Sequence, residues 1–245
     1  MTWRRFAGAG LLLGVLGAWE LAVQMSDVPV YLVPAPSDIA RTLGTGSGGL
    51  MHATGVTLWE ALAGLAVGGA FGLILALVIT FRGHLEQAVM SLALLIKSTP
   101  IIAVAPILTI WLGFGHGPKV IVTALLTFFP VLVNALEGFR SVDPAIADWF
   151  RSINTSPRTY FFQARWPSAR PFLFAALKMA VPLSLIGAVV AEWMGASSGL
   201  GRQMWLAYTN LNMPALFAAV VVLTILSAGL YHLVVMAEQR TVHWT

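Results

Sequence analysis

The sequence predicts an all-α integral membrane domain. Of its 245 residues, 58% are hydrophobic and only 10% are charged. The mean hydropathy is +0.83. The apolar residues fall in long blocks without the alternating period of barrel strands. A soluble domain carries about 25% charged residues, so a membrane is the economical solvent. The chain is too short for several domains and reads as one bundle over 1–245. It has no cysteine, which excludes a disulfide framework, a thiolate metal site and a cysteine nucleophile. His52, His84, His116, His232 and His243 show no paired ligand spacing, so no metal site is expected.

A span needs about 20 mostly apolar residues. The first candidate lies near 6–23. Met1–Arg5 followed by an apolar run resembles a signal peptide. The run passes Trp19 and Glu20 to Val23 without a small-x-small cleavage site, which favours an uncleaved helix. A loop from Met25 to Gly55 follows. In it, Pro36-Ser37-Asp38-Ile39 predicts a short interfacial helix capped by Ser37, before a glycine-rich Gly44–Gly49.

The second span lies near 56–81, where Gly64, Gly68 and Gly72 form a small-residue stripe suited to close helix packing. The third lies near 88–112, the fourth near 120–136 and the fifth near 172–194. Pro100, Pro106, Pro130 and Pro182 interrupt them, each freeing a carbonyl and permitting a kink. Such kinks belong either to a static bundle or to the lining of a transport path. Ser98, Thr99, Trp111, Asn134 and Met194 are the polar or polarizable neighbours that would line one. The loop 195–213 contains Ser197-Ser198-Gly199-Leu200-Gly201. This is a turn and not a phosphate loop, because no Lys-Ser/Thr follows. The sixth span lies near 214–236. No Walker A pattern occurs, so the chain does not bind ATP in the P-loop manner alone.

Basic residues predict the orientation. With a cytoplasmic N-terminus, that side receives Arg4, Arg5, Arg82, Arg140, Arg151, Arg158, Arg165, Arg170 and Arg240. The other side receives Arg41, Lys119 and Arg202. The asymmetry fits six spans with both termini inside. The net charge of +4 therefore reflects topology and not nucleic-acid binding.

The arginine-rich loop 138–171 is then cytoplasmic. Asp143-Pro144 is a helix start, with an N-cap carboxylate and a proline at the first helical position. Ile146, Trp149, Phe150 and Ile153 fall at i, i+3, i+4 and i+7, a single apolar stripe. Asn154 ends the helix in a left-handed conformation. Ser156-Pro157 starts a second helix that runs through Tyr160 and Phe161 until Trp166-Pro167 breaks it. This helix–turn–helix is either an interfacial pair held by aromatic and arginine anchors or a lever moved by a soluble partner.

Glu20, Glu60, Lys97, Lys178 and Glu192 sit in or near apolar spans. A charge at the bilayer centre costs at least ~2.5 kcal/mol, so these groups should pair, snorkel or face the bundle interior. Glu192 is either a helix-end carboxylate bonded to the Gly199–Gly201 turn or a group at the mouth of a path. Lys97 and Lys178 read as snorkelling lysines, Lys178 towards the cytoplasm.

Several segments in order resemble the membrane subunit of bacterial ABC importers. They are Pro34-Ala-Pro-Ser, Thr57-Leu-Trp-Glu-Ala-Leu-Ala-Gly64 and Pro100-Ile-Ile-Ala-Val-Ala-Pro106. Then come Trp111-Leu-Gly-Phe-Gly115, Phe128-Phe-Pro-Val-Leu-Val-Asn134, Ala191-Glu-Trp-Met-Gly195, Gly199-Leu-Gly201 and Glu238-Gln-Arg with Trp244. The resemblance runs from about Val33 to Trp244. It is to the branch that serves sulfonates, taurine, nitrate, bicarbonate, pyrimidine thiamin precursors and riboflavin. It implies the six-helix type I importer fold in a bacterial inner membrane, paired with a second permease copy or a homologue. It also implies an extracytoplasmic substrate-binding protein and two cytoplasmic ATPase subunits. ATP and magnesium would reside on those subunits, with no cofactor on this chain.

In that family the loop between the fourth and fifth spans, with its Glu-Ala-Ala pattern, docks on the ATPase. The pattern maps onto Asp148-Trp149-Phe150, then Asn154 and Pro167. The resemblance thus assigns ATPase coupling to Asp148, Arg151, Asn154, Thr155, Ser156, Pro157 and Arg158. The candidate substrate pathway, from the kinked spans and the intramembrane carboxylates, is Glu60, Ser98, Pro100, Trp111, Asn134, Glu192 and Met194. Glutamate at position 60, where sulfonate and nitrate members often carry arginine, points towards pyrimidine-precursor and riboflavin members. The implied function is alternating-access import of such a heterocycle. The alternatives are a sulfonate, taurine or nitrate permease and the coupling subunit of a vitamin transporter with a membrane-embedded capture protein. A membrane enzyme finds no Ser/His or paired-carboxylate motif in support.

Overall fold

The computed structural model describes residues 2–26 and 28–242. The expectations placed on His243 and Trp244, and on the side chains of Arg4 and Arg5, lie outside the described residues. Among the described residues every regular element is helical. Helix α1 (Thr2–Met25) is followed by α2 (Pro36–Thr45) and α3 (Ser47–Phe81). Two further helices, α4 (Glu86–Ser98) and α5 (Ile101–Leu112), precede the long α6 (His116–Arg140). Helix α7 (Pro144–Ser152) leads to α8 (Pro157–Tyr160), a π-helical turn (Phe161–Arg165) and α9 (Trp166–Trp193). The chain closes with α10 (Leu200–Thr209) and α11 (Met213–Thr241).

Four of these helices are long and apolar enough to cross a membrane: Gly48–Phe81, His116–Arg140, Pro157–Trp193 and Met213–Thr241. The region expected as the third span is a bent pair, Gly83–Ser98 and Ile101–Leu112, with an 88° angle between them. Pro100 causes the break. It holds Thr99 extended, at ψ 126°, because a residue before proline is disfavoured in the α region. Pro106, Pro130 and Pro182 do not break their helices.

Three further expectations are corrected. Gly44–Gly49 is not a loop: only Gly46 is non-helical between α2 and α3. Leu50 and Ala53 pack with Ile39, Leu200 and Met204, and that tertiary burial overrides weak glycine propensity. Ser37 does not cap α2. Ala35 occupies the cap position, and its N–H donates to the Asp38 carboxylate. Ser37 uses its N–H and its hydroxyl to bind Glu20 of α1, at 3.0 and 2.7 Å. The segment 195–213 contains the ten-residue helix α10 as well as its turn.

The core is the stack of α3 on α6 on α9. A Cβ added at Gly64 would lie 2.3 Å from Thr123 Cβ, and one at Gly72 would lie 2.4 Å from Phe128 O. At Gly68 it would lie 2.3 Å from Thr127 Oγ1 and 2.4 Å from Ala124 O. The stripe is therefore the surface on which α3 touches α6. Gly68→Ala is expected to lower bundle stability by about 1–3 kcal/mol through overpacking. Gly69→Ala, where a Cβ meets nothing within 4 Å, serves as the silent control. Thermal unfolding midpoints of the purified variants check the pair, and equal midpoints would refute the packing account.

Candidate functional site

The segment expected to couple to an ATPase begins where α6 ends. Asp143 caps α7 by accepting from Ala145 N–H at 2.7 Å, and Ser156 caps α8 by accepting from Thr159 N–H at 3.2 Å. Between them Asn154 takes φ 52°, which a short polar side chain tolerates. Its N–H donates to Arg151 O at 3.0 Å, and Thr155 N–H donates to Phe150 O at 3.2 Å. The tip is thus a closed, hydrogen-bonded turn. Asp148, Arg151, Asn154, Ser156, Pro157 and Arg158 are exposed, and Thr155 is half-buried.

The apolar stripe of α7 does not lie against the bundle as a whole. Phe150 is buried, whereas Ile146, Trp149 and Ile153 are about half exposed. Phe150 packs edge-on against Tyr160, with ring centroids 5.5 Å apart. The Arg165 guanidinium lies 5.2 Å from the Tyr160 ring and donates to Thr80 O of α3. Phe161 adds contacts to Phe81 of α3 at 5.1 Å and Phe139 of α6 at 5.5 Å. The hairpin is fastened by aromatic contacts to the ends of two core helices.

Trp166-Pro167 does not break the second helix. Pro157–Trp193 runs on as a single 37-residue helix. The π-helical turn shifts the ladder so that Trp166 N–H reaches Phe161 O, and Pro167 sits in the next turn without breaking the helix. One continuous helix thus links the α8 tip to Glu192, at its far end.

At that far end α3, α6, α9 and α10 enclose a polar knot. Glu192, Lys119 and Glu60 expose 0%, 1% and 2% of their surface. Thr57 Oγ1 donates to Glu192 Oε1 at 2.6 Å and accepts from Leu200 N–H at 2.8 Å. Gly201 N–H donates to Glu192 Oε2. Gly199 has φ 116°, and a Cβ there would lie 2.3 Å from the Glu192 carboxylate. The Gly199-Leu200-Gly201 turn is thus a seat for Glu192, with the start of α10 donating to its charge. Glu60, one turn beyond Thr57, meets His116 Nδ1 at 2.7 Å. Lys119 Nζ donates to Phe114 O and Gly115 O, each at 2.7 Å, and to Gly195 O at 3.5 Å.

Of the expected pathway residues, Glu60 and Glu192 come together and Met194 packs nearby with Ala191 and Val122. Ser98, Pro100 and Trp111 are exposed on the bent pair. Asn134 lies further along α6 and donates to Pro130 O at 2.8 Å. Of the other span lysines, Lys178 is paired with Glu238 of α11 at 2.7 Å, and Lys97, which is exposed, lies 4.4 Å over the Phe129 ring. Sequence reasoning missed Lys119, His116 and Thr57 as partners in the knot. The available signal was spacing, since Thr57/Glu60 and His116/Lys119 are i, i+3 pairs that each occupy one helix face.

The model of the family described as binding-protein-dependent transport system inner membrane component matches residues 68–243. A probable ABC transporter permease protein of Haemophilus influenzae is 34% identical over 222 residues, which cover 90% of this chain and 91% of that one. The formylaminopyrimidine transport permease protein ThiX of Halalkalibacterium halodurans is 35% identical, covering 85% and 83%. The riboflavin transport system permease protein RibX of Chloroflexus aurantiacus is 30% identical, covering 95% and 88%. A solved amino acid ABC transporter matches in fold with a TM-score of 0.67 at 16% identity, over 81% of this chain and 97% of that chain.

Proposed function

The chain belongs to the binding-protein-dependent transport system inner membrane component family, and from that premise we propose that its cargo is a pyrimidine thiamin precursor, riboflavin or a similar heterocycle. As a member it is the permease of an ABC importer and an integral membrane protein. The observation that carries the cargo reading is the engagement of Lys119 and Lys178 by the chain's own groups. Lys97 lies over Phe129, Lys119 is held by three carbonyls and Lys178 is paired with Glu238. A sulfonate or nitrate would find Lys119 and Lys178 already engaged, and the buried carboxylates of Glu60 and Glu192 disfavour an anion beside them. The likeness to ThiX and RibX supports the same class of cargo.

In this reading the N- and C-termini and the α7–α8 hairpin face the cytoplasm of a bacterial inner membrane. Two ATPase subunits engage Asp148, Arg151 and the Asn154–Arg158 turn, and ATP and magnesium stay on those subunits. A second permease copy or homologue completes the pore. A substrate-binding protein delivers cargo at the opposite end, where Glu60, Glu192 and Met194 gather. ATP-driven closure pulls on the hairpin, and the Tyr160, Phe161 and Arg165 contacts pass the motion to α3 and α6. Ser98, Pro100, Trp111 and Asn134 line the route between.

The test is uptake by proteoliposomes holding the permease with its ATPases and binding protein. Labelled formylaminopyrimidine and riboflavin are compared with taurine and nitrate. ATP-dependent uptake of a heterocycle is expected. Uptake of taurine or nitrate alone would overturn the cargo assignment.

A further inference from the structure

The knot around Glu192 contains more acid than its visible donors balance. Glu60 and Glu192 lie in one buried knot, where Thr57, one turn before Glu60, donates to Glu192 Oε1 at 2.6 Å, and two carboxylates have no proton to offer each other. Both are buried, and Glu60 Oε2 has no hydrogen-bond partner. The charged and titratable groups facing the pair are few. From α6 come Lys119, whose ammonium is already spent on three carbonyls, and His116. From α10 comes only the Gly201 N–H, and α5 carries no titratable side chain. With His116 neutral, two carboxylates against one lysine leave a net negative charge in a buried site, which is strongly unfavourable unless it is neutralised.

His116 differs from the other members of the knot in exposing 60% of its side chain while touching Glu60 Oε1 at 2.7 Å. It joins the buried pair to solution. We propose that Glu60 and Glu192 hold one proton between them, and that His116 is the port through which this proton exchanges with solution. The bound species is a proton and not a metal cation, because among the described residues no three acidic or histidine side chains gather to ligate one. Loss of the proton leaves two adjacent buried anions, so the contact between Glu60 and the Glu192 seat weakens as pH rises. Separation of α3 from the α9–α10 turn is thereby linked to proton release. This inference does not depend on which solute is carried.

Infrared spectroscopy of the assembled transporter in nanodiscs tests it. The wild type at neutral pH is expected to show a protonated-carboxyl C=O band that shifts on transfer to deuterated water. Glu60→Gln should abolish that band while keeping the fold, since a glutamine amide can donate to Glu192 in the proton's place; Glu192→Gln should abolish it as well. His116→Ala should keep the band and slow its deuterium exchange several-fold. A wild type without the band, or a band that survives both glutamine variants, overturns the shared proton. Unchanged exchange in His116→Ala overturns the port. A missing band together with sodium-dependent thermal stabilisation would assign the pair to a cation instead, and would also overturn the proposal.

Discussion

Lys119→Met is expected to destabilise the bundle by about 3–5 kcal/mol, the cost typical of removing one partner from a buried charged network. Lys119 is 1% exposed and lies in the first turns of α6, where the helix dipole disfavours a cation. Its position makes sense only through what surrounds it: the carbonyls of Phe114, Gly115 and Gly195, and the negative charge of the Glu60–Glu192 pair. Methionine fills much the same volume, so a cavity contributes little to the loss. What is lost is the donor to the three carbonyls and the only lysine beside two acids. Lys119→Arg is expected to recover little, because a planar guanidinium cannot aim its donors as a compact ammonium does. Thermal unfolding midpoints of the purified permease measure both. A midpoint equal to wild type for Lys119→Met would show that the cage contributes nothing to stability.

The same lysine marks the boundary of what was legible in the sequence. Local chemistry read well wherever the deciding partners lay within four residues. Asp143 and Ser156 cap their helices, and Asn154 takes the left-handed conformation its side chain permits. The seat of Glu192 on the Gly199–Gly201 turn was also readable, since carboxylate and glycines lie nine residues apart or closer. Ser37 was misread because its choice between capping α2 and binding Glu20 depends on a helix 17 residues away. Lys119 read as a boundary charge and His116 as one of five unpaired histidines, because their partners come together only where α3, α6 and α9 meet. Trp149 and Phe150 share one stripe by periodicity. The turn at Asn154, which folds Tyr160 back onto α7, decides which of the two is buried.

That difference between adjacent aromatics sets the second large effect. Phe150→Ala is expected to remove a ring that is 8% exposed and packed on Tyr160, at a cost of about 3–5 kcal/mol. A hairpin of only two short helices has no other buried side chain in α7 to hold it, so it should detach locally from α9. ATP hydrolysis would then continue while transport stops. Trp149→Ala should leave the hairpin folded, because that side chain is 57% exposed, and should act on docking alone. The charge reversal Asp148→Arg with Arg158→Glu tests the same surface without touching the fold. The Asp148–Arg151 pair is 3.2 Å apart with both side chains mostly exposed, and such pairs are worth about 0–1 kcal/mol. If this surface carries a binding hot spot, losing ~2 kcal/mol there weakens ATPase docking about thirtyfold. Limited proteolysis of the hairpin, ATPase pull-down and uptake in proteoliposomes separate the cases. Phe150→Ala should become cleavable at the hairpin, whereas Trp149→Ala and the charge reversal should resist the protease and lose the ATPase. Retained docking and transport in both surface variants would show that the α7–α8 tip is an interfacial anchor and not the coupling element.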